Sequence, residues 1–197
     1  MLKILKDIYS DVEISSLLGL KGGTAAYFFY DLPRFSVDLD FDLLDASQDN
    51  KELVFSKIEN TLKDYGTIKE KCIKRWTIFS LLSYGDDDHN VKIEISTRSN
   101  NNQYELKNHL GIAMFVAKKE TLFANKLVAL TGRKNMAMRD VFDIYFFAKN
   151  SWDIDEEIIK FWTKENTKKH LIKCVKKIKE INERAILQGL GEKIKHG

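Results

Sequence analysis

Residues 21–43, KGGTAAYFFYDLPRFSVDLDFDL, constrain the fold more than any other stretch of the chain. A glycine pair interrupts an apolar run, and after Pro33 polar and apolar residues alternate strictly, which predicts a strand. One face of that strand would carry Ser36, Asp38, Asp40 and Asp42, and the opposite, buried face Val37, Leu39, Phe41 and Leu43. Neighbouring carboxylates on one strand face repel each other unless a cation lies between them. The strand therefore borders a site for a cation, or its acidic face lies in water.

Gly22 and Gly23 stand between the strand-like LLGL and the helix-like TAAYFFYD. Glycine accepts a positive φ and lets a phosphate approach the backbone closely, and free amides at the start of a helix attract anions. Together with the Thr24 hydroxyl, this turn predicts a phosphate-binding site. A plain strand-to-helix turn with Thr24 as the N-cap explains the same three residues.

Three carboxylates are candidates for a metal site. Asp38 follows Gly23 by 15 residues, across one short helix, and Asp40 shares its strand face. Glu94, between two isoleucines, supplies an acid on a predicted neighbouring strand. Magnesium is held by carboxylates together with substrate phosphates, and two metal ions can clamp both oxygens in phosphoryl transfer. We therefore predict Asp38, Asp40 and Glu94 as metal ligands, and we expect Asp42 to be solvated.

Hydrophobic periodicity predicts an α+β part over residues 1–117 and a helical part over residues 118–197. The first part should contain a mixed or antiparallel sheet flanked by helices. Its predicted elements are helices over 2–18 and 51–65, strands in TIKEKCIKRW, TIFSLLSYG and VKIEIS, a GDDDHN turn, and a polar stretch SNNNQYELKN before the apolar GIAMFVA. The second part should contain helices over 118–133 and 138–150 and further helices to about Gly189, with Leu171, Val175, Ile178, Ile181 and Ala185 on one face.

Several charged residues stand out in the helical part. Lys119, Lys126 and Arg133 recur every seven residues and share one helix face. Lys126 lies among leucines, where an unpaired ammonium is costly, so a triphosphate would satisfy it; a solvated stripe is the alternative.

The next helix is apolar except for a few residues, among them Arg139, Asp140 and Asp143. Arg139 and Asp143 have the spacing of an i, i+4 ion pair, and Asp140 could favour the helix N-terminus. Asp143 could equally orient Lys126 or contact a nucleotide.

Composition excludes several classes of protein. The longest apolar runs are too short to span a bilayer, and the charged N-terminus lacks the apolar core of a secretory signal. Two cysteines and four scattered histidines favour neither a disulfide scaffold nor a zinc site. Residues 160–197 contain 11 Lys and Arg against 4 Asp and Glu, which suits either a polyanion-binding surface or a solvated helix face. We expect a cytoplasmic protein without a membrane partner.

Four motifs in this order resemble the AbiEii/MenT-type nucleotidyltransferase toxins of the DNA polymerase β-like superfamily. These motifs, K-G-G-T-A, R-F-S-V-D-L-D-F, K-L-V-A-L-x-x-R and R-D-x-x-D-I, lie between Lys21 and Tyr145. The resemblance implies a nucleotidyltransferase fold and magnesium-dependent transfer of an NMP from an NTP, with manganese as a possible substitute. It also implies an RNA acceptor, often the 3′ end of tRNA, an antitoxin partner, and a role in abortive infection against phage.

The resemblance also implies roles for individual residues. Asp38 and Asp40 would bind metal, and Lys126 would be the essential lysine. Asp140 and Asp143 would be the R-D-x-x-D pair, with their relative importance left open. The nucleotide-binding residues would be Gly22, Gly23, Thr24, Arg34, Ser36, Lys126 and Arg133. Two alternatives stay open: the same chemistry on a protein or small-molecule hydroxyl, and a non-catalytic module that binds nucleotide or RNA.

Overall fold

The computed structural model describes residues 1–84 and 89–181. The chain divides into two compact units. The first comprises Met1–Ser99 and Tyr104–Ala117, and the second comprises Asn100–Gln103 and the residues from Lys118 on.

The first unit is built on one sheet. Its elements are α1 (Leu2–Ser10), a 3₁₀ turn (Ser15–Leu17), β1 (Leu18–Lys21), α2 (Gly22–Phe29), β2 (Leu39–Leu43), α3 (Gln48–Lys63), β3 (Thr67–Lys74), β4 (Thr77–Tyr84), β5 (His89–Ser96), β6 (Tyr104–His109) and β7 (Ile112–Ala117). The seven strands lie in the order β3-β4-β5-β2-β1-β7-β6. The β1–β7 and β2–β5 pairs are parallel and the other neighbours are antiparallel, so the sheet is mixed, the first of the two predicted forms.

Helices α1 and α3 supply much of the core of this unit. Ile4, Leu5 and Ile8 of α1 are fully or almost fully buried, as are Ile58 and Leu62 of α3. The apolar positions recur every three or four residues, so each helix presents one stripe to its neighbours. Ser47 caps α3 by accepting a hydrogen bond from the Asn50 amide, which satisfies one of the free donors at the helix start.

The second unit is helical within the described residues. Its elements are α4 (Lys119–Gly132), α5 (Met138–Lys149), α6 (Glu156–Thr163) and α7 (Thr167–Lys179). Asp155 caps α6 and Asn166 caps α7 through hydrogen bonds to backbone amides. His170 and Cys174 lie one turn apart on α7, and both contact the carbonyl oxygen of Leu127 on α4.

Several boundaries differ from the predictions. Helix α1 ends at Ser10, well before residue 18, because the chain turns into the short 3₁₀ segment that leads to β1; Val12 is 86% exposed. The polar stretch before residue 109 contains β6, an edge strand that pairs with β7, and an edge strand tolerates polar residues because one side faces solvent. On α7 the buried residues are His170 and Cys174, while Val175 of the predicted apolar face is exposed.

The predicted alternating strand is the largest correction. Only Leu39–Leu43 forms a strand, and residues 33–38 run up to it without regular structure. Val37, predicted to be buried, is 47% exposed. Residues 85–88 of the predicted turn, and the residues after 181 including Ala185 and Gly189, lie outside the described residues.

Candidate active site

The glycine pair lies at the junction of β1 and α2, and it forms the first two residues of the helix, which the sequence predicts to begin at Thr24. Gly22 is the first residue of α2 and has a φ of +74°. A Cβ atom added at Gly22 would lie 2.5 Å from Asp40 Oδ2. Both the backbone conformation and the available space therefore require glycine here, and the turn lies directly against the second aspartate of D-x-D.

Gly23 lies against the R-F-S segment. A Cβ atom at Gly23 would lie 2.9 Å from Arg34 Nη2 and 3.0 Å from Ser36 Oγ. The structure therefore gathers the glycine turn, Arg34, Ser36 and Asp40 in one place within the first unit. A guanidinium beside free helix-start amides is a suitable environment for a phosphate group.

Thr24 secures the approach to β2. Its side chain is fully buried, and its hydroxyl donates a hydrogen bond of 2.5 Å to the carbonyl oxygen of Asp38. The N-cap of α2 is Lys21, so the N-cap interpretation of Thr24 is wrong. Because the hydroxyl binds the Asp38 backbone, Thr24 helps to set where the D-x-D acids lie.

Strand pairing brings two of the three predicted metal ligands onto adjacent positions. Asp40 of β2 is the register partner of Glu94 on the parallel strand β5. Lys92, two residues before Glu94, places its Nζ 3.1 Å from Glu94 Oε2 and 3.6 Å from Asp38 Oδ2. We call Asp38, Asp40, Glu94 and Lys92 the carboxylate cluster.

The carboxylate cluster carries more negative than positive charge. Burial raises the pKa of Asp40, and the charges of Asp38 and Glu94 raise it further, against the opposing effect of Lys92 and Lys21. Burial works against the charged form of Lys92, yet its bond to Glu94 and the neighbouring aspartates raise its pKa overall. An added cation would relieve this imbalance.

Asp42 is not solvated, contrary to the prediction. It is 1% exposed, and its carboxylate binds Lys21 Nζ at 2.5 Å and accepts a hydrogen bond from the Tyr104 hydroxyl. Gly19, the register partner of Asp42, makes room for the Tyr104 ring, which a Cβ atom at that position would overlap. Asp42 is therefore a buried partner of Lys21 and Tyr104.

The donor set suits magnesium better than a protein-only metal cage. Among residues 1–84 and 89–181, no group of three or more His, Cys, Asp or Glu side chains is arranged to hold a metal ion. Magnesium, however, commonly takes only one or two carboxylates and completes its shell with phosphates and water. Asp38 and Asp40 beside the glycine turn fit that requirement, whereas Glu94 as a third ligand stays a prediction.

The second unit contains a separate charged cluster. Lys126 of α4 lies 2.7 Å from Asp140 Oδ1 and 2.8 Å from Asp143 Oδ2. Arg133 Nη1 lies 2.5 Å from Asp140 Oδ2. Asp140 and Asp143 are 1% and 0% exposed. We call these four residues the lysine cluster.

The lysine cluster changes the argument for Lys126. Two buried carboxylates already pair with its ammonium, so the need for a partner no longer argues for a triphosphate at Lys126. Of the alternatives for Asp143, the orientation of Lys126 is confirmed. The predicted contacts of Lys126, Arg133, Asp140 and Asp143 with a nucleotide stay predictions.

Sequence reasoning missed Lys92 and Tyr104. Lys92 alternates with Glu94 on β5 and shares its strand face, so the strand pattern contained a signal for it. Tyr104 contacts Asp42 from 62 residues away in sequence, and no local pattern indicates that contact.

Comparison with known proteins identifies relatives. The family described as "Nucleotidyl transferase AbiEii toxin, Type IV TA system" matches residues 3–193. No curated protein matches the chain significantly. None of the helices within the described residues is long and apolar enough to cross a membrane.

Three solved structures resemble the chain. JHP933 from Helicobacter pylori is 26% identical with a TM-score of 0.55, and the match covers 76% of this chain and 65% of JHP933. A Helicobacter pylori protein assigned as a nucleotidyltransferase is 24% identical with a TM-score of 0.55, over 96% of this chain and 89% of its own. ANT(2")-Ia, solved with adenylyl-2"-tobramycin, is 10% identical with a TM-score of 0.52, over 91% and 98% of the two chains. The last two show a shared nucleotidyltransferase fold.

Proposed function

The chain belongs to the AbiEii family of nucleotidyl transferase toxins, and we propose that it transfers an NMP from an NTP to an RNA acceptor. The 3′ end of tRNA is the acceptor we favour. The observation that carries this proposal is the contact geometry of the first unit, where Gly22 lies against Asp40 and Gly23 lies against Arg34 and Ser36. The residues that we propose as a phosphate cradle thus adjoin a residue that we propose as a metal ligand.

Each of these residues has a distinct task in the proposed reaction. The glycines let the triphosphate approach the amides at the start of α2, and Arg34 offsets its charge. Thr24 holds the backbone of Asp38 through its hydrogen bond to the carbonyl oxygen. Since little covalent chemistry is needed in phosphoryl transfer, positioning and charge compensation supply most of the catalysis.

Asp38 and Asp40 would hold magnesium, for which manganese could substitute, and Glu94 is the candidate third ligand. The bound ion would neutralise phosphate charge and favour departure of pyrophosphate. The raised pKa of Asp40 supports this assignment, because burial is its main cause and a bound cation would favour the charged carboxylate. Lys126 is proposed as essential for transfer on the strength of the family motif.

The RNA acceptor is supported by charge. Helix α7 carries Lys168, Lys169, Lys173, Lys176, Lys177 and Lys179. Phosphate backbones bind such surfaces with a strong dependence on salt. Replacing the exposed residues Lys160, Lys168, Lys176 and Lys179 with glutamate should weaken RNA labelling at low salt, while nucleotide binding by the variant should persist.

The reaction is tested by incubation with each NTP labelled at the α-phosphate, magnesium chloride and total bacterial RNA. We expect label in a tRNA-sized band for at least one NTP, and no label with Asp38→Ala protein. Absence of labelled RNA with all four NTPs, from protein that is folded by circular dichroism, would contradict the proposal.

A small-molecule acceptor is the second candidate. ANT(2")-Ia, which shares the fold, was solved with adenylyl-2"-tobramycin, an adenylylated small molecule. This alternative is favoured if the label appears in aminoglycosides or other polyhydroxylated compounds while RNA in the same reaction stays unlabelled. Nucleotide binding without label in RNA, protein or small molecules would instead favour the non-catalytic module.

We further propose that the protein acts as a cytoplasmic toxin with a cognate antitoxin, in abortive infection of phage-infected bacteria. Membership of the family supports this role. Expression in bacteria should arrest growth, and Asp40→Ala should relieve the arrest at equal protein levels. Equal arrest by both proteins would separate toxicity from nucleotide transfer.

A further inference from the structure

The segment before β2 reverses the usual burial of polar and apolar side chains. Phe35 is 63% exposed and Val37 is 47% exposed. The polar residues between and before them, Ser36 and Arg34, are only half exposed and lie against Gly23. The segment therefore turns its polar residues inward toward the glycine turn and its apolar residues outward.

An aromatic pair extends this exposed surface. The Tyr27 and Phe35 ring centroids are 5.2 Å apart, with ring planes inclined at 40°. Tyr27 lies on α2, one helical turn after Gly23. The pair therefore sits immediately beside the residues proposed to hold the triphosphate.

The position and chemistry of Phe35 point to a ligand with a flat face. An exposed phenylalanine is unfavourable in water, and an aromatic ring gains most from stacking on another π-system. Aromatic side chains stack on nucleobases with little preference for sequence, because each base has a π-face. Gly23 and Tyr27 are one helical turn, about 5.4 Å, apart along α2, a span that the ribose between a phosphate and its base can bridge.

We propose that Phe35, supported by Tyr27, is a stacking surface for an unpaired nucleobase. This inference rests on the proposed function, since the base belongs either to the donor NTP or to the RNA acceptor. Phe35 is a binding residue in this proposal, and Arg34 and Ser36 next to it keep their tasks at the phosphate. The two sources of the base predict different results in binding experiments.

The test compares the wild type with Phe35→Ala and Phe35→Trp in the full-length chain. Trp76→Ala is the matched control, because Trp76 is an aromatic residue of the same unit and is 44% exposed. The probes are NTPs, inorganic tripolyphosphate and a short single-stranded RNA, with affinities from calorimetry. Circular dichroism and thermal denaturation check that each variant is folded.

If the donor base stacks on Phe35, Phe35→Ala should weaken NTP binding by about 5- to 100-fold and leave tripolyphosphate binding unchanged. If the acceptor base does so, RNA binding should weaken by a similar factor and NTP binding should persist. Phe35→Trp should retain affinity, and its added tryptophan fluorescence should be quenched by the base-bearing probe and not by tripolyphosphate.

The outcomes separate this inference from the proposed function. Wild-type protein that binds NTP and RNA, with both affinities unchanged in a folded Phe35→Ala variant, would overturn the stacking surface and leave the proposed reaction intact. Wild-type protein that binds neither probe would contradict the proposed function and this inference together. Equal loss in Trp76→Ala and Phe35→Ala would also overturn a specific role for Phe35.

Discussion

The carboxylate cluster of the first unit and the lysine cluster of the second both combine acidic and basic residues, but they differ in their balance of charge. In the lysine cluster, Lys126 and Arg133 lie 2.5–2.8 Å from the oxygens of two buried aspartates. In the carboxylate cluster, Lys92 lies 3.1 Å and 3.6 Å from two acids, and a third, Asp40, has a raised pKa. The lysine cluster therefore has equal numbers of acidic and basic residues, whereas the carboxylate cluster has three acids and one lysine.

This difference predicts which cluster responds to an added cation. Close ion pairs with buried carboxylates are complete without further charge, and breaking one leaves an uncompensated buried ion. A cluster with surplus acids is costly until a cation enters it. Removing the charge of Asp40 from the carboxylate cluster should therefore raise stability, whereas removing Lys126 from the lysine cluster should lower it, and only the carboxylate cluster should respond to magnesium.

The largest expected effect is on transfer activity. Asp38→Ala or Asp40→Ala should lower NMP transfer by about 10³-fold or more, because the residues proposed to hold magnesium are lost. The measurement is the initial rate of RNA labelling at saturating magnesium. Asp64→Asn, an exposed acid at the end of α3, is the control, and wild-type rates in either alanine variant would disprove the metal assignment.

Lys126→Ala should lower the free energy of unfolding by about 3 kcal/mol, because it leaves two buried aspartates short of a cation. Urea denaturation of the full chain measures this loss, with Lys134→Ala, an exposed neighbour, as control. Transfer should also be nearly abolished at temperatures where the variant is folded. Unchanged stability would mean that the lysine cluster contributes little to folding.

Asp42→Asn tests the acid that lies two residues beyond Asp40. We expect a loss of about 2 kcal/mol in the free energy of unfolding, since the ion pair with Lys21 disappears. Asp45→Asn, an exposed acid near the same strand, should change stability far less. Similar values for the two variants would argue that the buried pair is not stabilising.

Asp40→Asn should act in the opposite direction and raise the Tm by a few degrees at neutral pH without magnesium. The folded-state pKa of Asp40 lies above its ordinary value of 3.8 because of burial. The protonated form therefore stabilises the fold below that value, and this contribution is lost as pH rises through the folded-state pKa. The difference in Tm between Asp40→Asn and the wild type should grow as the pH rises from 3.8 to the folded-state pKa of Asp40, and it should then level off.

Lys92→Met is the matched opposite of Asp40→Asn. It removes the lysine charge that offsets the charges of Asp38, Asp40 and Glu94, so the Tm at neutral pH without magnesium should fall. Thermal denaturation from pH 4 upward in the presence of a chelator records both variants. A lower Tm for Asp40→Asn at neutral pH would show that Asp40 stabilises the fold as an anion.

Much of the first unit was predictable because its signals are local. The glycine turn appears between β1 and α2, and the strands at residues 67–74, 77–84 and 89–96 follow the predicted β-rich runs. Each depends on contacts between residues near in sequence or on a period of two. A contact between Asp143 and Lys126 was one of the alternatives that the sequence left open, and the structure shows it as an ion pair.

The errors share a different origin. A period of two correctly separated Asp40 from Leu39 and Phe41, but it could not show that Tyr104 and Lys21 cover Asp42. It also failed for Val37, because residues 33–38 follow the contacts of Arg34 and Ser36 with Gly23 and do not pair as a strand. Burial depends on which distant elements lie against a face.

The sequence by itself determined the family, the mixed α+β fold and the residues of the glycine turn and D-x-D strand, because these reside in local order and spacing. Tertiary structure alone decided which charges are balanced. Asp40 and Asp42 are two residues apart on one strand, yet one meets Glu94 and the other meets Tyr104 and Lys21. Electrostatic energy depends on distance and burial in space, so sequence separation could not distinguish them.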